Sequence, residues 1–270
     1  MVKEPLVSII TSTFREVLDG TLERSINSVR AQTYQNWELW VVEDGSLYTD
    51  QVEELISGYN DPRIHSYHLP EKSGVAYPGL KPKQKGVELS KGEFLCFLDA
   101  DNEYSPNHLE LAVSEFAANP ELDLVYCDSV VRLANPVMKL TLPFHWKKPE
   151  WTQKRSERMK KSNFIDMSEA VIRRSSYHKS GGLKESVPYA IDWGLFRDMV
   201  NSGNANFRHL PNEGFVYYTS SVGHHAAYFF LMLIENGGRL SFDLEKKMLK
   251  RRYFMEAKLT RKQERYSNRK

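Results

Sequence analysis

The first 130 residues alternate short apolar runs with helix-spaced segments, and few architectures accept that rhythm. "LVSIIT" (6–11), "WELWVV" (37–42), "RIHSYHL" (63–69), "FLCFL" (94–98) and "LDLVYC" (122–127) have the length, β-branched or aromatic content and flanking turn residues of strands. Between them Leu22, Ile26 and Val29, then Leu109, Ala112, Val113 and Phe116, recur at helical spacing. Ser105 followed by Pro106 predicts the start of the latter helix, the serine capping free amides and the proline at the first helical position. Strand, helix, strand at this pitch predicts βαβ units: an α/β fold with a mostly parallel central sheet flanked by helices on both faces.

In such sheets ligands bind outside the carboxyl ends of the strands. The first strand runs out at Ser12, Thr13, Phe14 and Arg15, the second at Glu43, Asp44 and Gly45, the fourth at Asp99, Ala100, Asp101 and Asn102. Acidic groups therefore gather on one edge. Two carboxylates one residue apart, on the turn leaving a buried strand, suit a hard divalent cation held through oxygen, with positions left for phosphate oxygens. A bare D-x-D is nevertheless common by chance.

After residue 130 the rhythm breaks. "PFHWKKPEWTQKRSERMKKSNF" (143–164) is rich in Lys, Arg and Trp and predicts a long exposed loop. Its Trp146 and Trp151 either stack on the flat face of a ligand or pack locally. "SEAVIRRSSY" and "DWGLFRDMV" predict helices, "FVYYTS" (215–220) a further strand and "AAYFFLMLI" (226–234) a buried helical segment. From Lys246 to Lys270, eleven Lys/Arg stand against two Glu, so a basic helical extension (241–270) hides behind a net charge of only +2. This tail either docks on anionic lipid, packs on another subunit of a homo-oligomer, or remains a solvated helix. Cys96 and Cys127 lie in apolar runs without metal-ligand spacing and read as core thiols. No membrane span or signal peptide is expected, which points to the cytoplasm, with peripheral contact at the inner face of the membrane through the tail.

Five separated blocks, "PLVSIITSTFRE", "SINSVRAQTYQNWELWVVEDGS", "DPRI", "KGEFLCFLDADN" and "IDWGLFRDM", are in order and spacing similar to the family 2 glycosyltransferases of GT-A fold. The resemblance covers roughly residues 5 to 220. It implies a domain over 1–240, with a donor- and metal-binding half (1–130) and an acceptor-binding half (131–240). Ser12, Thr13 and Phe14 would frame the nucleoside of a nucleotide sugar, and Asp44 would accept a hydrogen bond from its base. Asp101 would be the direct ligand of Mn2+ or Mg2+. Asp99, with Ala100 beside it, would lie nearer the ribose or a metal-bound water. Lys83 would meet a phosphate as a point charge, where relatives often carry Arg-Asn. Asn102 replaces a frequent third aspartate, lowering the charge at the metal.

By the same resemblance Asp192 would be the catalytic carboxylate that takes the proton of the incoming hydroxyl; the plainer alternative is a helix N-cap. His224 would add a metal or diphosphate contact, or else the pair His224 and His225 simply opens a helix. The expected activity is inverting, metal-dependent sugar transfer from a UDP-linked donor to a hydroxyl of a glycan, polysaccharide or lipid-linked acceptor. The alternative is a non-catalytic nucleotide- or nucleic-acid-binding module using the sheet edge and the basic tail, although nucleic acid is not the expected partner. A dinucleotide-dependent oxidoreductase is disfavoured because "TSTFRE", not G-x-G-x-x-G, follows the first strand.

Overall fold

The computed structural model describes residues 4–220 apart from 75, 136–139, 189 and 204. His224, His225, the segment 226–234 and the extension 241–270 lie outside the described residues. In chain order the elements are β1 (Val7–Thr13), α1 (Thr21–Arg30), β2 (Trp37–Glu43), α2 (Thr49–Gly58), β3 (Ile64–His68), α3 (Leu80–Leu89), β4 (Phe94–Phe97), β5 (Glu103–Tyr104) and α4 (His108–Ala118). There follow β6 (Leu124–Asn135), β7 (Leu140–Trp146), α5 (Gln153–Met159), a 3-10 turn (Met167–Glu169), β8 (Ala170–Arg173), α6 (Arg174–Lys179), α7 (Ile191–Asn201) and β9 (Phe207–Ser220).

The sheet order is β3-β2-β1-β4-β8-β6-β9-β5, with β7 paired to β6. Its first four strands are parallel. Beyond them the sheet is mixed: β8 runs antiparallel to both β4 and β6, while β6 and β9 are parallel. The central strands bury both faces, as a parallel sheet between helices must. Ile9 and Cys96 face one core with Leu22, Ile26 and Val29 of α1 and Leu109 and Phe116 of α4. Ile10, Leu95 and Phe97 face the other, with Leu80 and Val87 of α3 and Phe196 and Met199 of α7. Among the described residues no helix is long and apolar enough to cross a membrane.

Three expectations are corrected. The segment 143–164 is not a long exposed loop: β7 pairs with β6, Ser129 opposite Trp146, and Thr152 caps α5 by accepting the Arg155 N–H at 3.3 Å. Trp151 packs against Phe207 with ring centroids 4.4 Å apart and planes tilted by 34°, and Lys148 is buried in an ion pair with Glu169 at 2.9 Å. These partners are distant in sequence, so the segment's own polarity concealed them. "SEAVIRRSSY" is not one helix; its apolar Ala170–Ile172 run is β8, wedged into the sheet between β4 and β6, and only Arg174–Lys179 is helical. Ser105 does not cap α4, which begins at His108. Its hydroxyl donates instead to the Glu213 carbonyl, and Gln32 from the end of α1 accepts the Leu109 N–H at 3.0 Å.

Helix α3 lies unusually close to the sheet because Gly86 has no side chain. A Cβ there would sit 2.4 Å from a methyl carbon of Ile10 on β1. Gly86→Ala should therefore push α3 away from β1 and destabilise the fold by about 1–3 kcal/mol, the usual range for overpacking. Urea denaturation of the variant beside the wild type measures this directly.

Candidate active site

Register aligns the strand ends. Thr13 of β1 pairs with Glu43 of β2, and Ile10 pairs with Phe97 of β4, so Asp99 emerges level with Ser12. Lys83 joins them: its ammonium donates to Ser12 Oγ at 3.0 Å and to Asp99 Oδ1 at 2.9 Å. Lys83 is buried, at 6% exposure, on the first turn of α3. The chain reaches it through Gly79, whose φ of +71° suits glycine, and a Cβ at 79 would lie 3.0 Å from the Lys83 nitrogen.

The loop after β1 is organised by Glu16, which sequence reasoning missed. Its Oε2 accepts from Thr13 Oγ1 (3.0 Å), the Phe14 N–H (2.7 Å) and the Arg15 N–H (3.0 Å). Thr13 is thereby buried and Phe14 is left half-buried, with the Lys72 ammonium 3.6 Å from its ring centroid. Asp44 follows β2 and accepts both the backbone N–H (2.9 Å) and the hydroxyl (2.5 Å) of Ser73 on Oδ1. Burial raises its pKa, while the Ser73 hydrogen bonds and Lys72 oppose that shift. Gly45 lets the backbone of Glu71 and Lys72 press against the same turn, since a Cβ there would come within 2.3 Å of the Glu71 carbonyl carbon.

On the D-x-D turn Ala100 is buried and Asp99 half-exposed. Asp101 reaches solvent on one side, yet the protein around it desolvates its carboxyl, and with repulsion from Asp99 and Glu16 this pushes its pKa up to about 7. Arg24 of α1 binds the Asp101 carbonyl at 2.6 Å. Asn102 is fully interior and accepts the Tyr218 N–H at 2.9 Å, so it ties the turn to β9.

Asp192 stands apart from this group, in the first turn of α7. Ala190 occupies the N-cap position, so the helix-cap alternative for Asp192 does not hold. Its Oδ2 accepts from Asn163 Nδ2 at 2.7 Å. A carboxylate that the sequence reading passed over, Asp166, feels both Asp192 and Asp99. Burial first, then the charges of Glu169, Asp99 and Asp192, push its pKa up to about 7. Asp166 and Glu169 form a capping box on the 3-10 turn, Asp166 accepting the Ser168 N–H and Glu169 the Asp166 N–H. The D-x-x-E spacing of "DMSE" was the available signal.

The structure thus brings Ser12, Lys83 and Asp99 into direct contact, with Thr13, Phe14, Asp44, Ala100 and Asp101 on the same edge. Asp192 approaches from the other half of the chain, through Asn163 and the field of Asp166.

The chondroitin synthase of Pasteurella multocida (strain Pm70) is 27% identical over 209 residues, which is 76% of this chain and 20% of the synthase. The Escherichia coli protein named UDP-Glc:alpha-D-GlcNAc-diphosphoundecaprenol beta-1,3-glucosyltransferase WfgD is 32% identical over 114 residues, 42% of each chain. The chain spans less than half the length of the curated relatives it matches. A crystal structure of S. aureus TarS with UDP-GlcNAc superposes with a TM-score of 0.60 at 19% identity, over 90% of this chain and 70% of that one. At that identity the likeness speaks for the fold, which is GT-A. Residues 8–181, more than half of the chain, match the model of glycosyl transferase family 2, and the chain belongs to that family.

Proposed function

We propose that the protein transfers a sugar from a nucleoside diphosphate donor, UDP-linked, to a hydroxyl of a glycan, polysaccharide or lipid-linked acceptor, with inversion at the anomeric carbon. The observation that carries this reading is the buried Lys83 ammonium, held between Ser12 and Asp99 at the carboxyl edge of the sheet. A cation at that place, under the N-terminal turn of a helix, offers a diphosphate both a charge and a helix dipole. The solved complexes of S. aureus TarS with UDP and UDP-GlcNAc support the choice of donor.

The roles divide along the edge. Phe14 and the β1 turn frame the nucleoside, and Asp44 accepts a hydrogen bond from the base. Lys83 exchanges its contact with Asp99 for a phosphate oxygen, releasing Asp99 toward the ribose. Asp192 takes the proton of the acceptor hydroxyl as it attacks from the face opposite the diphosphate, and direct displacement inverts the anomeric carbon.

The donor set at the D-x-D turn fits a hard divalent cation. It offers carboxylate oxygens; burial first, and then repulsion from Asp99 and Glu16, raises the Asp101 pKa, and a bound cation would relieve that repulsion. Among the described residues no three His, Cys, Asp or Glu side chains converge into a metal cluster, so phosphate oxygens would supply the remaining positions. Asp101, with Asp99, would hold Mn2+ or Mg2+, which when bound neutralises charge developing on the departing diphosphate.

Two outcomes test this reading. UDP release from a panel of UDP-sugars should be detectable with the wild type and fall about 10²–10⁴-fold in Asp192→Asn, the range for losing a general base; full activity in that variant would remove Asp192 from the chemistry. The second concerns stability. The folded pKa of Asp101 lies near 7, above its unfolded value of about 3.8, so ionisation there opposes folding above pH 7 and costs nothing below about pH 4. In metal-free buffer Asp101→Asn should raise the melting temperature at pH 8 by about 2–4 °C, and the gain should vanish by pH 4. Solvent screening at this partly exposed group keeps the effect near ~1 kcal/mol.

A further inference from the structure

Asn163 is held by its own backbone in a way that leaves its amide one task. Its Oδ1 accepts the N–H groups of Phe164 at 2.9 Å and Ile165 at 3.1 Å, and its Nδ2 donates to Asp192 Oδ2 at 2.7 Å. The opposite amide orientation would set an oxygen against a carboxylate and an NH2 group against two N–H donors, so the hydrogen-bond network fixes which atom faces Asp192. The anchoring extends to both sides of Asn163 in the chain. Ile165 is buried in the core shared with α7, and the Met159 carbonyl at the end of α5 accepts from Trp193 Nε1 at 2.7 Å, one residue beyond Asp192. The donor and its target are thereby tied to one rigid junction of α5 with α7.

We propose that Asn163 is a positioning residue: it fixes the plane of the Asp192 carboxylate, and so the direction from which that group meets the acceptor hydroxyl. This rests on the reading of Asp192 as the base. Without the amide, Asp192 would lose the donor that faces its Oδ2 and would feel the charge of Asp166 without that contact. Misplacement of a reacting group by about 1 Å is enough to cost ~10²-fold in rate.

The test compares Asn163→Ala and Asn163→Asp with the wild type and Asp192→Asn, reading UDP release from UDP-N-acetylglucosamine and UDP-glucose with water as acceptor at pH 8, together with melting temperature. Asn163→Asp is the informative variant. It keeps an oxygen for the Phe164 and Ile165 N–H groups, so it preserves the local turn, but it presents Asp192 with an acceptor in place of a donor. A positioning role predicts that kcat falls about 10–100-fold in both Asn163 variants, with donor KM within about twofold of wild type, and a single cooperative melting transition in each confirms that the variants are folded. If Asn163 merely shaped the turn, Asn163→Asp would keep wild-type kcat, and that result overturns the proposal. Wild-type kcat in both Asn163 variants alongside an inactive Asp192→Asn would overturn the positioning role and leave Asp192 as the base. Full activity in Asp192→Asn would overturn both.

Discussion

The contact on which the edge of this sheet depends is the pair of hydrogen bonds from the Lys83 ammonium to Ser12 and Asp99. It draws together a helix start and the ends of two parallel strands, with a buried cation among carboxylates. Such a cation is tolerated only when it is paired and hydrogen-bonded. Its position follows from packing one turn further along α3, where Gly86 allows the helix to lie against Ile10 of β1. The apolar runs of β1 and β4, buried on both faces, hold their ends rigidly. Burial in the core and polarity at the edge are two aspects of one design.

The charge distribution is uneven by construction. Asp99 is paired with Lys83, whereas Asp101 and Asp166 sit in desolvated surroundings near other carboxylates, and both have pKa values pushed up to about 7. Groups held so far from their ordinary range destabilise the empty fold and are stabilised by whatever relieves them, which is the usual signature of sites built for a ligand. At Asp44 burial acts in the same direction, against the hydrogen bonds from Ser73. Asp192 differs in that a neutral amide faces its Oδ2 and it lies in the first turn of a helix, where the dipole favours negative charge.

Much of the carboxyl edge of the sheet was legible in the sequence because it arises from local pattern. Short apolar runs that stop at polar turns located β1, β2 and β4 and hence the residues at their ends. The helix carrying Asp192 was likewise visible from its spacing. What escaped depends on distant partners. β8 is four residues long and is followed at once by a helix, so "AVIR" merged with the helical pattern after it, and only pairing with β4 and β6 makes it a strand. The segment 143–164 looked solvated because Lys148 and Trp151 find their partners at Glu169 and Phe207. Asn163 stands at the end of the stretch read as an exposed loop and Asp166 just beyond it; their meaning lies in Asp192, 29 and 26 residues further on.

The central claim is that the edge defined by Lys83, Asp99 and Asp101 receives a nucleoside diphosphate together with a divalent cation. Thermal denaturation of the full chain with UDP and other nucleoside diphosphates, each with and without Mn2+, tests it most directly. The account predicts stabilisation by UDP in the presence of Mn2+, about 2.7 kcal/mol at a hundredfold excess over Kd, and loss of that effect in Asp101→Ala. Failure of every nucleoside diphosphate to stabilise the wild type, with or without the cation, would contradict it.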